Sequence, residues 1–332
     1  MKSMKPFFCN IACRAEAFLL ERKGCCLAVL LMTIVFVLVV QLWTTKAIIR
    51  SDALGYYAYV RSLAIDGDLH FENEFQDYNA HGDDVPSIRS LTPTNHVANK
   101  YFIGPALLWT PFFVAAHGTV LAMQVFGLEI SADGYTWPYH LFMALGSVLY
   151  GLLGLVCMER MLRLFFDQAS GFWAVSMVVL STNVIYYLAV EPTMAHAMSL
   201  GMVSAFACLW LKGLERRSLA NLMFLGLVGG VMVLIRPQNV VFMILPLAEL
   251  LGFVGQSRNF QRRLFESIFF GLFFLLPLLP QLVVWKILYG KFLVFSYQGE
   301  GFDFFHPKLW ASLFSDRHGL ISWTPSVALG LL

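Results

Sequence analysis

The chain has 332 residues, of which 58% are hydrophobic and 13% charged, and its formal net charge is +2. A soluble domain carries about 25% charged residues, so the composition excludes an ordinary soluble protein and points to an all-α polytopic membrane protein. The near-balanced charge excludes a nucleic-acid partner.

A basic lead, MKSMKPFFCNIACRAEAFLLERKG, precedes the first apolar run, Cys25–Trp43. That run approaches the roughly 20 residues that a membrane-crossing helix needs. No small-residue cleavage site follows it, so it reads as a retained signal anchor. Lys2, Lys5, Arg14, Arg22 and Lys23 favour a cytoplasmic N-terminus. The six cysteines, Cys9, Cys13, Cys25, Cys26, Cys157 and Cys208, lack metal-ligand spacing and are expected to be reduced thiols on the cytoplasmic half.

Further apolar runs lie near 102–127, 141–158, 171–190, 195–211, 219–235, 240–255, 265–289 and 320–332. The last is too short to cross, is interrupted by Pro325, and is expected to be part of a truncated span. The run 102–127 decides the topology. If it crosses, the basic loops MERMLRLFFDQ, KGLERRS and QSRNFQRRL fall outside the cell. If it lies along the outer interface or re-enters, all three fall inside with the basic N-terminus, as short Lys- and Arg-bearing loops prefer. Pro105 and Pro111 also speak against a straight span there. The expected organisation is a single transmembrane domain over 1–332, with a first outer loop over 46–139 that carries short interfacial helices and the segment 102–127. A second outer loop covers 288–319. No internal repeat of the kind many transporters show is visible.

Polar residues then collect at the outer face. Asp52 follows the first span closely, where partial desolvation would suit a carboxylate to take a proton from a hydroxyl. An ordinary loop acid, or a cap for a helix at ALGYYAYVRSL, is the simpler role. The cluster DGDLHFENEF holds Asp66 and Asp68 without the full calcium-loop pattern, and solvated acid is its plainest reading. Lys100 and His96 precede the interfacial segment, where a lysine either snorkels or holds a phosphate. Glu191 and His196 lie at an outer turn, and a structural histidine is the simpler role for His196. Arg236, in VLIRPQNVVF, interrupts two apolar runs at a cost of about 2.5–3.5 kcal/mol on insertion scales. Such a residue faces a cavity or an anion, or snorkels at a helix end. Arg317 and His318 close the second outer loop, where Asp316 could pair with Arg317.

Carboxylates and cations gathered at one membrane face suit group transfer from a lipid-phosphate carrier. The stretches GYYAYVRSLAIDGDL, NKYFIGPALLW, LIRPQN and DRHGLISWTP resemble those of the GT-C glycosyltransferases, the group of protein O-mannosyltransferases and aminoarabinose transferases, and within it a bacterial subgroup of mostly unassigned substrate. The resemblance implies a GT-C-like helical bundle in the bacterial inner membrane that uses a polyprenyl-phosphate-linked sugar donor and a lipid, glycan or protein acceptor. It implies a catalytic base at Asp52 and phosphate binding by Lys100, Arg236, Arg317 and His318. It leaves Tyr56, Tyr57, Asp66, Asp68, Glu191 and His196 as candidate sugar or acceptor contacts. The sequence departs from the family where Asp52 is followed by Ala53 instead of a second acid, and where YFIGP replaces paired prolines. No cofactor is expected, and a divalent metal is left open. The rival readings are a lipid-linked sugar transporter or flippase and a non-catalytic membrane subunit.

Overall fold

The computed structural model describes residues 23–45, 48–80, 90–215, 217–255, 259–297, 305–317 and 319–330. The described residues are helical with no strand, and one isolated bridge pairs Leu91 with Val97. α1 (Lys23–Thr45) is followed by two short helices, α2 (Asp52–Arg61) and α3 (Glu72–Ala80), with one π-helical turn at Ser62–Asp66 between them. α4 (Gly104–Val125) and α5 (Trp137–Leu162) form an antiparallel hairpin. Along it Trp109 Nε1 donates to Ser147 Oγ at 2.9 Å, Tyr150 OH donates to the Leu108 carbonyl at 3.2 Å, and Phe113 lies 5.0 Å from Tyr139.

The second half of the chain builds the rest of the bundle. α6 (Gln168–Ser181) starts at Asp167, whose carboxylate caps the Ala169 and Ser170 N–H groups. α7 (Val184–Ala189), α8 (Ala195–Gly213) and α9 (Leu219–Ile235) follow. A 3₁₀ stretch, Pro237–Met243, then leads into α10 (Ile244–Leu251). α11 (Phe260–Leu275) and α12 (Leu279–Tyr289) form one long rod through a 3₁₀ turn. Three short helices follow among the described residues: α13 (Leu309–Phe314), α14 (Leu320–Trp323) and α15 (Ser326–Gly330).

Four helices among the described residues are long and apolar enough to cross a membrane: α4, α5, α8 and the rod Phe260–Tyr289. Close helix contacts rest on small residues, which let the backbones approach. Gly226 and Gly230 of α9 lie against the Phe270 and Phe274 carbonyls of α11, where an added Cβ would sit 2.4 and 2.3 Å from those oxygens.

Several apolar runs differ from their expected extents. The run 171–190 is broken where Thr182 turns extended and its hydroxyl bonds back to the Val178 carbonyl at 2.5 Å. The run 240–255 begins in 3₁₀ conformation behind Pro237. The prolines of 102–127 do not interrupt that segment. Pro105 occupies the first turn of α4, where its missing N–H has no partner to lose, and Pro111 is carried inside a continuous helix. α4 has 22 residues, about 33 Å.

Candidate active site

Asp52 is the first residue of α2, and the Ser51 before it has φ 54°, a conformation that costs a non-glycine residue about 1–3 kcal/mol and concentrates at functional sites. The segment leading to it is anchored from two directions. Thr193 Oγ1 donates to the Ile48 carbonyl at 3.1 Å, and His140 Nδ1 accepts from the Ile48 and Ile49 N–H groups at 3.3 and 3.4 Å. Arg50 also reaches Glu191 at 3.7 Å.

The partner of Asp52 is Tyr101, whose hydroxyl donates to Oδ1 at 2.6 Å. The Tyr101 ring makes edge contacts with Tyr56 at 4.9 Å and Tyr297 at 6.4 Å. Lys100 Nζ stands 5.4 Å from the Tyr101 ring and 5.5 Å from the Tyr297 ring, within reach of cation–π attraction. Its carbonyl accepts from Ser296 Oγ at 2.7 Å, so the two expected outer loops meet here.

Arg236 caps the end of α9 in extended conformation, and Nη1 donates to His196 Nδ1 at 2.7 Å. An arginine has no acceptor, so Nδ1 of this histidine carries a lone pair and the ring is the neutral Nε2–H tautomer. The imidazole stacks on Tyr187 at 3.9 Å. Asn239 fixes the turn after Arg236 by donating to Ser199 Oγ and to the Met232 carbonyl, both at 2.9 Å. The N-terminus of α4 is brought to this level by Gly104, where a Cβ would sit 2.3 Å from the Leu234 carbonyl oxygen.

Tyr56 joins the two sides. Burial raises its hydroxyl well above the ordinary tyrosine range; Tyr297 and the Asp52 carboxylate add to that rise, and Arg236 opposes it. Asp52 and Arg236 thus act on one buried phenol, and among the described residues no ion pair joins them. Asp52, Tyr56, Lys100, His196 and Arg236 are brought to one neighbourhood, with Glu191 at its edge through Arg50.

The other candidates lie elsewhere. Tyr57 is buried, and its hydroxyl donates to the Gly134 carbonyl. Asp66 accepts from Arg61 at 2.6 Å and Asn73 at 2.7 Å, and Asp68 accepts from Ser62 Oγ at 2.8 Å and the His70 N–H at 3.0 Å. These acids fold the turn between α2 and α3. There the Arg61 side chain also reaches the fully buried Glu74 at 2.7 Å, and burial pushes Glu74 up to about 7 against the pull of that guanidinium. Arg317 is exposed, and its N–H bonds to Ser315 Oγ at 3.2 Å. His318 lies outside the described residues.

Sequence reading missed Tyr101, Asn99 and Tyr297. The only signal was the adjacency of Tyr101 to Lys100 in NKYFIGP. Among the described residues no group of three or more His, Cys, Asp or Glu side chains is placed to hold a metal. No family model, no curated protein and no solved structure matches this chain.

Proposed function

We propose that the protein is an integral membrane glycosyltransferase of the bacterial inner membrane that moves a sugar from a polyprenyl-phosphate donor to an acceptor at the outer face. The observation that carries this reading is a carboxylate and a guanidinium that both act electrostatically on one buried tyrosine, with no ion pair between them among the described residues. The acceptor oxygen attacks the anomeric carbon while the bond from that carbon to the phosphate oxygen breaks. The leaving electron pair stays on the phosphate, held by Arg236 and Lys100, and the acceptor proton passes to Asp52. One displacement inverts the anomeric centre. Arg suits this role because its planar fork binds phosphate oxygens in pairs, and Lys adds a point charge.

The reading needs Asp52 and Arg236 on the same side as both flanks of α4. The packing of α2 supports that. Gly55 lies against Tyr101, which precedes α4. Six residues further on, about 9 Å along the helix, Arg61 Nε donates to the Asp133 carbonyl at 2.8 Å, in the loop that follows α4. A hydrocarbon layer of about 30 Å does not fit between two segments bridged by so short a helix. This, together with the basic short loops, supports a cytoplasmic N-terminus and an outer placement of 46–139.

Incubating membranes that contain the protein with radiolabelled polyprenyl-phosphate sugars, and following label out of the lipid phase, tests the function. Transfer that requires Asp52 supports it. Movement of intact lipid-linked sugar across the bilayer without transfer marks a flippase, and neither activity marks a non-catalytic subunit.

A further inference from the structure

A base that accepts one proton at a fixed place needs its carboxylate held in one orientation, and a carboxylate on the first residue of a short helix can rotate. We propose that Tyr101 is the positioning residue for Asp52: it binds Oδ1 and so directs Oδ2 to the acceptor hydroxyl. This rests on the reading of Asp52 as the base. Among the described residues no donor reaches Oδ2, while Oδ1 takes the Tyr101 hydroxyl at 2.6 Å.

The surroundings of Tyr101 are built to hold that phenol still. Its N–H donates to Asn99 Oδ1 at 3.1 Å, and its carbonyl accepts from Tyr59 OH at 3.1 Å. Asn99 is fully buried, and its amide donates to the Gly55 carbonyl at 2.7 Å. Its own carbonyl accepts from Tyr289 OH at 3.1 Å and from Tyr59 OH at 3.5 Å. Asn99 therefore ties α2, the segment before α4 and the end of α12 into one frame. Gly55 completes it: a Cβ there would meet Tyr101 Cδ2 at 2.0 Å and Cε2 at 2.5 Å, so the ring packs against α2 only because position 55 has no side chain. With the backbone tied and the ring packed against Gly55, the hydroxyl is directed to Asp52, three residues before Gly55 on the same helix.

The experiment uses the full chain in lipid nanodiscs and two independent readouts. One is the rate at which a water-soluble carbodiimide and an amine nucleophile modify Asp52, read by mass spectrometry of its peptide. The other is turnover with a labelled polyprenyl-phosphate sugar. Tyr101→Phe keeps the ring and removes only the donor. It is expected to raise Asp52 modification at least threefold and to lower kcat roughly tenfold or more, the effect of losing one hydrogen bond to a charged group, with donor KM unchanged. Gly55→Ala removes no polar atom but displaces the ring, so it is expected to change both readouts in the same direction. Because both substitutions break one contact, the double variant is expected to be little worse than the stronger single one. A Tyr101→Phe protein whose Asp52 modification and kcat both stay within twofold of the parent overturns the proposal. A parent that transfers no sugar from any donor overturns the functional reading instead, and the modification rates then decide the role of Tyr101 alone.

Discussion

Arg236 offers the sharpest separation between a ligand-binding and a structural role. If it holds the phosphate of a lipid donor, Arg236→Ala removes one charged hydrogen-bonding partner, a loss of about 1.5–3 kcal/mol. At about 1.4 kcal/mol per decade, that raises donor KM by a factor of roughly 10 to 150. The same change leaves His196 Nδ1 without its donor at 2.7 Å. The ring stays stacked on Tyr187, and the turn stays locked by Asn239, so fold stability is expected to fall only slightly. Arg236→Lys keeps the charge and loses the planar fork, and an intermediate KM follows. Donor KM and the melting temperature are measured on the same detergent preparations. A stable, active Arg236→Ala protein with unchanged donor KM removes Arg236 from the phosphate site. A large fall in melting temperature with unchanged KM assigns the residue to the turn between α9 and the 3₁₀ stretch.

Three further outcomes are expected. Asp52→Asn keeps the shape and loses the basicity, so turnover is expected to disappear from a folded, inserted protein; near-normal turnover would pass the role of base to another acid. Single cysteines at the exposed positions 93 and 129, before and after α4, are both expected to react with an impermeant maleimide from outside the cell, and labelling of only one means that α4 crosses. Glu74 has its folded-state value pushed up to about 7, so the folded protein keeps a proton that the unfolded chain releases from about pH 4.5 upward. Its contribution is complete below that pH and is lost as pH rises through about 7. The melting temperature is therefore expected to fall between pH 5 and 8 in the parent and to vary less in Glu74→Gln; a parent curve that rises over this range means Arg61 keeps Glu74 ionised throughout.

The apolar rods were legible because hydropathy alone sets them. The runs 141–158, 195–211 and 219–235 lie within α5, α8 and α9. Their interruptions were less legible. Thr182 ends α6 through a bond from its own side chain to the backbone, and an average over neighbours does not register one hydroxyl. Pro111 misled in the other direction. A proline removes one N–H, which is a local cost, and packing of α4 along α5 through Trp109, Phe113 and Tyr150 offsets it.

The site divides along a similar line. Asp52 and Arg236 stood out because a charge beside a hydrocarbon run is expensive, so its presence alone asks for a reason. Tyr57 drew the same attention as Tyr56, since both lie in one aromatic pair. Only the helical rotation of about 100° per residue separates them, turning Tyr56 toward Tyr101 and Tyr57 toward Gly134. Asp66 and Asp68 looked like solvated or binding acids, but Arg61 and Ser62 use them to fold the α2–α3 turn. Tyr101 and Asn99 carried no signal of their own, because a tyrosine at an interface and an asparagine in a loop are both ordinary. Their meaning lies in partners far along the chain: Asp52 for Tyr101, and Gly55 and Tyr289 for Asn99. Residue type and spacing describe the ends of such contacts separately. Only the fold brings the strained Ser51, the bare Gly55 and the buried Asn99 around one phenol bonded to one carboxylate.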